Sequence, residues 1–179
     1  MSKRILIVDD EASIRSSLEK LLTYEKYRTF TAADGPSALE AVGDERIDLV
    51  LLDIKMPGMD GLEVLQRLKE IRGDLPVVII SGHGTISTAV EATKLGAFDF
   101  IEKPIDLDRL LLTVRNGLRQ GELARQNLRL RERVLGATEI IGEHPSIKAI
   151  LDTIERVAPP GARVLITGEH GTGKALVAR

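Results

Sequence analysis

The sequence predicts an α/β fold in which a doubly wound, five-stranded parallel sheet occupies about the first hundred residues. Short apolar runs alternate there with segments of helical period, which is the pattern of repeated βα units. Three runs, ILIV, LVLL and VVII, are continuously apolar, as expected for strands that helices cover on both faces. The predicted strands are Arg4–Val8, Tyr27–Ala32, Leu49–Asp53, Val77–Ser81 and Asp99–Glu102.

Helices are predicted between the strands. Ile14, Leu18 and Leu22 recur every four residues, so one stripe of the first connection is expected to face the sheet. Asp and Thr residues stand where helices need caps. The further helices are predicted over residues 34–42, 61–71 and 85–95, with Asp34, Asp60 and Thr85 as caps, and a last one begins at Asp106.

Composition excludes several classes of protein. The chain has 179 residues, 25 Lys and Arg against 27 Asp and Glu, and no Cys, which excludes disulfide scaffolds, thiolate catalysis and cysteine metal sites. Its three histidines lack the spacing of metal ligands. No run approaches the roughly 18 apolar residues of a membrane span. The apolar run near the N-terminus is too short for a signal peptide. A cytoplasmic protein without a membrane partner is expected.

After Ile105 the composition changes to a long stretch rich in Leu and Arg. Its apolar residues step by four, three and four, which predicts a helical signalling linker that pairs with a second copy. The alternative is a terminal helix with a solvated Arg-rich face. Residues 109–133 hold seven Arg and two Glu without interleaved aromatics, so direct DNA binding is not indicated. The predicted pairing seam consists of Leu107, Leu111, Val114 and Leu118.

Polar residues follow four of the predicted strands. Ligands of doubly wound sheets bind at the carboxyl ends of the strands, so these side chains are expected to converge. Three carboxylates brought together repel one another unless a divalent cation holds them, and hard oxygen ligands suit Mg²⁺. The residues are Asp9, Asp10, Asp53, Ser81 and Lys103.

This set of side chains predicts phosphoryl transfer. Asp53 would be the nucleophile, Lys103 would offset developing charge, and Ser81 would hydrogen-bond the product. Taken singly, four of these residues have a structural alternative: Asp9 and Asp10 favour the start of a helix, Asp53 suits a turn, and Lys103 ends a strand. The coincidence of all five at strand ends favours the site.

The sequence resembles the receiver domains of two-component response regulators. The resemblance covers about residues 3–120 and rests on VDD at 8–10, LLDIKMPGMDG at 51–61, SGHG at 81–84 and GAFDFIEKP at 96–104. It implies a flavodoxin-like receiver fold and a sensor histidine kinase as phosphoryl donor.

The same resemblance implies roles for individual residues. Asp53 would be the phosphoacceptor, Asp9, Asp10, Asp53 and the Lys55 backbone carbonyl would bind Mg²⁺, and Ser81 and Lys103 would sense the phosphoryl group. Phe100 matches the family's switch aromatic, with simple core packing as the alternative. A cis Lys103–Pro104 bond is also implied, in keeping with proline as the usual site of cis peptides.

A phosphate-binding loop is predicted near the end of the sequence. The pattern G-x-x-x-x-G-K follows a predicted strand, Arg163–Thr167, and precedes a helix-compatible segment, which is the context that the motif requires. Residues from 138 onward resemble the opening of the AAA+ domain of sigma-54-dependent activators, although Ala175 and His170 depart from that family's usual residues. The loop residues are Gly168, Glu169, His170, Gly171, Thr172, Gly173 and Lys174.

We therefore predict a receiver domain over 1–120, a helical linker over 121–137 and an incomplete P-loop AAA+ segment over 138–179, with a helix from Ser146 to Val157. ATP is expected to bind only in a full-length form, and contacts with sigma-54 RNA polymerase and DNA would need regions C-terminal to these residues. The predicted protein is a phosphoacceptor that lacks ATPase activity in these residues and forms a homodimer through receiver and linker.

Three alternatives stay open at this point. A P-loop ATPase with an accessory receiver would turn over ATP and lose that activity with Lys174→Ala. A stand-alone receiver would act as a binding module. A flavodoxin-like FMN protein would share the fold, but its phosphate site has no use for a carboxylate cluster.

Overall fold

Five parallel strands form one sheet in the first part of the chain. A computed structural model describes residues 2–82, 86–136, 144–157, 164–169 and 172–178. The strand order is β2-β1-β3-β4-β5, as expected for the predicted doubly wound fold. The predicted strands are confirmed, except that β2 begins one residue later, because the Tyr27 N–H bonds to the Leu22 carbonyl. The strands are β1 (Arg4–Val8), β2 (Arg28–Ala32), β3 (Leu49–Asp53), β4 (Val77–Ser81) and β5 (Asp99–Glu102).

Helices connect successive strands, with ends close to those predicted. Asp34 caps one of them by accepting the Ser37 N–H, and Asp60 caps another by accepting the Leu62 N–H. The predicted cap at Thr85 lies outside the described residues, as does His83. The helices are α1 (Ala12–Tyr24), α2 (Gly35–Asp44), α3 (Gly61–Ile71), α4 (Ile86–Lys94) and α5 (Leu107–Gly136).

The sheet buries apolar side chains on both faces, which explains its continuously apolar strands. On β1, for example, Ile5 and Ile7 join the core beneath α1 and α5. Leu6 and Val8 join the core beneath α2, α3 and α4. Successive side chains point to opposite faces of a strand, so two-sided burial demands an apolar residue at every position.

Helix α5 uses its predicted pairing seam mainly to cover the sheet. Val114 is fully buried and Leu118 is 6% exposed, and both pack in the same core as α1. Leu111 is half-buried against that core, whereas Leu107 is 53% exposed. The prediction of a seam open to a second copy is therefore wrong at Val114 and Leu118. Helical spacing alone does not identify which partner an apolar stripe meets.

The first compact unit of the chain ends at Gln126, beyond the predicted receiver boundary at residue 120. Two ion pairs attach this stretch of α5 to the amino edge of the sheet. Lys3 Nζ lies 2.7 Å from Glu122 Oε2, and Arg125 Nη2 lies 3.1 Å from Asp48 Oδ1. Because of these contacts, the first compact unit includes residues of α5 that lie beyond its last turn over the strands.

The second compact unit, Asn127–Arg179, contains α6 (Pro145–Val157) and the short α7 (Lys174–Val177). The predicted helix from Ser146 is confirmed, starting one residue earlier. The predicted strand is wrong over 164–167, which has no regular structure; Arg163 lies outside the described residues. A strand needs a neighbour for its backbone hydrogen bonds, and the described part of this unit has none. None of the helices described in the chain is long and apolar enough to cross a membrane.

Candidate functional site

Parallel pairing brings the polar residues predicted for the site to the carboxyl edge of the sheet. Asp9 and Asp10 directly follow β1, Asp53 ends β3, and Ser81 ends β4. Lys103 directly follows β5, and its backbone N–H donates to the Ser81 carbonyl at 2.8 Å. Strands in parallel register end side by side, so residues far apart in sequence become neighbours here.

Three carboxylates of this edge can face one cation. Asp9, Asp10 and Asp53 each offer an oxygen, and these oxygens lie within 4.8 Å of one another. Asp9 is 2% exposed and Asp53 is 4% exposed, while Asp10 is open to solvent. Oxygen ligands with one open side suit Mg²⁺, which retains waters that a phosphate can replace. The donor set therefore fits the predicted magnesium ion.

Lys103 joins two of the acids. Its Nζ lies 2.9 Å from Asp9 Oδ2 and 3.0 Å from Asp53 Oδ1. Burial lowers the pKa of Lys103, but the bonds to Asp9 and Asp53 outweigh it and raise that pKa above its ordinary value. The ammonium is thus held charged beside the acid that is predicted to receive a phosphoryl group.

Burial also dominates the electrostatics of Asp53. It raises the pKa of the Asp53 carboxyl, the nearby Lys103 opposes that rise, and the charges of Asp9 and Asp10 add to it. A carboxylate in this position loses hydration, and its contact with Lys103 does not fully offset that loss. A divalent cation or a bound phosphoryl group would change that balance.

Backbone contacts hold the acid-bearing loops in place. The Glu11 N–H donates to Asp9 Oδ1 at 2.8 Å, while Lys103 occupies the other oxygen of that carboxylate. A Cβ on Gly61 would lie 2.2 Å from the Asp53 carbonyl oxygen. Sequence patterns placed Gly61 at the start of a helix but did not predict its close approach to Asp53; a glycine directly after the Asp60 cap was the available signal.

Phe100 lies on β5, paired in register with Ile79. It is half-buried against the core beneath α2, α3 and α4. Ser81 is 2% exposed at the end of the adjacent strand. The switch role of Phe100 and the Lys55 carbonyl ligand stay predictions, whereas the Lys103–Pro104 bond is cis, as predicted.

The predicted phosphate loop has a different setting. Lys174 Nζ donates to the Gly168 carbonyl at 2.9 Å and also to the Glu169 carbonyl. Thr172 Oγ1 donates to that same Glu169 carbonyl at 2.8 Å, and Gly173 has a φ of 82° at the start of α7. The lysine is therefore bonded to its own loop. His170 and Gly171 lie outside the described residues.

A parallel sheet in this strand order, with a lysine-bridged acidic cluster at its carboxyl edge, is the arrangement of a phosphorylation-dependent receiver module. A family model described as "Response regulator receiver domain" matches residues 5–115, and one described as "Sigma-54 interaction domain" matches residues 140–179. The chain belongs to the response regulator receiver family and continues into the start of a sigma-54 interaction domain.

Similarity to individual proteins supports the same family assignment. The transcriptional regulatory protein ZraR of Klebsiella oxytoca is 42% identical over 175 residues, covering 98% of this chain and 39% of ZraR. NtrX of Brucella abortus, solved in complex with ADP, is 46% identical with a TM-score of 0.68, covering 99% of this chain and 40% of that one. A CheY-like receiver of Methanospirillum hungatei is 31% identical with a TM-score of 0.67, covering 69% of this chain and 99% of that one. The chain thus spans about two fifths of the length of ZraR.

Proposed function

We propose that Asp53 accepts a phosphoryl group from the phosphohistidine of a sensor kinase. An Asp53 carboxylate oxygen attacks phosphorus as the bond from phosphorus to the histidine nitrogen breaks, leaving an acyl phosphate on Asp53 and a free imidazole. The observation that carries this proposal is the contact of Lys103 with both Asp53 and Asp9, within an acidic cluster that fits a divalent cation.

Each side chain has a defined task in this reaction. Asp53 needs no general base, because a carboxylate is already a nucleophile. Lys103 Nζ, 3.0 Å from Asp53 Oδ1, lies where it can stabilise the charge that develops on phosphoryl oxygens. Asp9, Asp10 and Asp53 would hold Mg²⁺, which neutralises phosphoryl charge when bound. The Lys55 carbonyl would be a further ligand.

The phosphorylated state would be communicated through β4 and β5. Ser81 would donate its hydroxyl to the phosphoryl group at the end of β4. Phe100, half-buried on the neighbouring strand, would change position in response. This arrangement would convert one covalent event at the sheet edge into a different surface on the face formed by α4, β5 and α5.

The output is proposed from the second matched family. The receiver (1–120) and helical linker (121–137) would control homodimer formation, and the segment from 138 would belong to an ATPase that acts with sigma-54 RNA polymerase. Leu112 and Leu123 support self-association: they lie three helical turns apart on one face of α5 and are 60% and 56% exposed. ATP binding at Gly168–Lys174 is proposed for a longer form, since NtrX of Brucella abortus was solved with ADP. Hydrolysis of ATP is likewise proposed only for a form that contains the whole domain.

Intact mass after incubation with acetyl phosphate and Mg²⁺ tests the phosphoacceptor proposal. We expect one added phosphoryl group, lost in Asp53→Ala and in a magnesium-free control. Peptide mapping should place the adduct on Asp53. An adduct that persists in Asp53→Ala, or no adduct with the unchanged chain, would contradict the proposal.

A further inference from the structure

Arg15 contacts the backbone of both acids that follow β1. Its Nη1 donates to the Asp9 carbonyl at 2.6 Å and to the Asp10 carbonyl at 2.9 Å. Arg15 is half-buried and stands in the fourth position of α1. One nitrogen of the guanidinium therefore binds two successive peptide groups, with one N–H for each carbonyl.

Formation of α1 does not account for a cation at this position. Positive charge near a helix N-terminus opposes the helix dipole, and acidic residues are favoured there instead. The first turn of α1 contains no acidic residue, and Glu11 at its start makes no side-chain cap. The local rules for helix starts thus do not explain arginine here, whereas its two hydrogen bonds are with the turn that carries Asp9 and Asp10.

The two carbonyl bonds complete a set of restraints on the loop. The Asp9 N–H donates to the Ala32 carbonyl at 3.3 Å, and the Glu11 N–H donates to Asp9 Oδ1. Arg15 adds a restraint on the carbonyl side of Asp9 and on the peptide group of Asp10. Asp10 is the exposed member of the carboxylate cluster, so its orientation depends on its backbone more than on packing.

We propose that Arg15 is a positioning residue for the cation site: it fixes the turn after β1 so that the Asp9 and Asp10 carboxylates face Asp53 together. It thereby raises affinity for the divalent cation and takes no part in phosphoryl transfer itself. This inference rests on the proposed function, because it concerns the same acidic cluster.

The sign of an affinity change separates positioning from simple electrostatics. Removing a positive charge near three carboxylates would strengthen cation binding if charge alone mattered. Removing a positioning residue weakens binding, and partners that orient metal ligands typically change affinity by about 10-fold or more. Arg15→Met is therefore expected to weaken binding, opposite to the electrostatic expectation.

The experiment measures Mn²⁺ binding to the 179-residue chain by the EPR signal of the free ion, with Mg²⁺ as competitor. We expect Arg15→Met to raise the dissociation constant about 10-fold, and Arg15→Lys to raise it less. Lys20→Met removes the same charge from an exposed position of α1 and should stay within about twofold of the unchanged chain. Unchanged or tighter binding by Arg15→Met would overturn the proposal.

Phosphorylation by acetyl phosphate over a range of Mg²⁺ concentrations supplies a second readout. Arg15→Met should need more Mg²⁺ for half-maximal rate and reach about the same maximal rate. A reduced maximal rate with unchanged magnesium dependence would overturn the proposal. If Arg15→Met fails to fold, Arg15→Lys decides by the same criteria. If the unchanged chain neither binds Mn²⁺ nor is phosphorylated, the proposed function itself fails.

Discussion

Lys103 and Lys174, the lysines of the two predicted phosphate sites, differ in how far along the chain their hydrogen-bond partners lie. Lys103 bonds to Asp9 and Asp53, 94 and 50 positions away in sequence. Lys174 bonds to Gly168 and Glu169, six and five positions away. The partners of Lys103 are brought together by the buried sheet. The partners of Lys174 belong to its own loop.

Burial separates the two regions in the same way. Asp9, Asp53 and Ser81 are at most 4% exposed at the ends of covered strands. In the second unit, Leu165 just before the phosphate loop is 87% exposed, and Ile150 on α6 is 39% exposed. Both regions carry a recognisable motif. A motif therefore becomes an organised site only where packed elements hold its residues from several sides.

The largest expected effect comes from close packing beside Asp53. Gly61→Ala would place its Cβ 2.2 Å from the Asp53 carbonyl oxygen and 2.7 Å from Ile54 Cα, so backbone must move. We expect a loss of about 3 kcal/mol in unfolding free energy, measured by urea denaturation followed by circular dichroism.

Gly43→Ala is the matched control, because its Cβ would have no neighbour within 4 Å and it lies in α2. It should gain about 0.5 kcal/mol from the helix preference of alanine. Similar losses in both variants would show that packing around Asp53 is not especially tight.

The amino edge of the sheet should give the next largest effect. Asp48→Ala removes the acceptor of the Arg125 guanidinium and of the Arg4 N–H. The side chains of Arg125 and Asp48 are only 15% and 10% exposed, and Arg125 Nη1 is already buried without a partner in the described structure. We expect a loss of about 2.5 kcal/mol by urea denaturation.

Glu122→Ala breaks the exposed pair with Lys3 and should cost under about 0.5 kcal/mol. Equal effects of Asp48→Ala and Glu122→Ala would mean that α5 beyond the strands is not held to the receiver as firmly as the geometry indicates.

The two lysines can be compared directly. Lys103→Met should cost about 2 kcal/mol of unfolding free energy in metal-free buffer, because it leaves two buried carboxylates without their cation. Lys174→Met should cost under about 0.5 kcal/mol, because its bonds are local and exposed.

Adding Mg²⁺ should shrink the deficit of Lys103→Met and leave Lys174→Met unchanged. A larger loss from Lys174→Met than from Lys103→Met would reverse the comparison between the two regions.

The smallest effect is a gain that depends on pH. Burial raises the pKa of Asp53 above its ordinary 3.8, so its contribution to stability is present below that value and is lost as pH rises through the raised pKa. Asp53→Asn should therefore be more stable than the unchanged chain by roughly 1 kcal/mol at about pH 7 without metal. The gain should fade toward about pH 4.

Melting temperatures of both proteins across that pH range provide the measurement. Asp44→Asn changes the same charge at an exposed position of α2 and serves as the control. A gain that is independent of pH would contradict burial of the Asp53 charge as its cause.

The amino-acid sequence was enough to predict the five strands of the sheet, most helix ends and the residues that meet at its carboxyl edge. Two-sided burial requires continuously apolar strands, and Asp caps leave local signatures, so β1, β3 and α3 were predictable residue by residue. The rule that ligands of doubly wound sheets bind at the carboxyl ends of the strands is sufficient to predict that Asp9, Asp53 and Lys103 lie together.

The surface against which each periodic segment packs depends on the folded structure. Val114 and Leu118 have the spacing of a pairing seam, yet they cover the sheet. Residues 164–167 have strand composition but no strand beside them among the described residues. Arg15 contradicts the local rule for helix starts because its partners are the Asp9 and Asp10 carbonyls. Periodicity and propensity act over a few neighbouring residues, whereas burial, strand pairing and charge compensation depend on residues that only folding brings together.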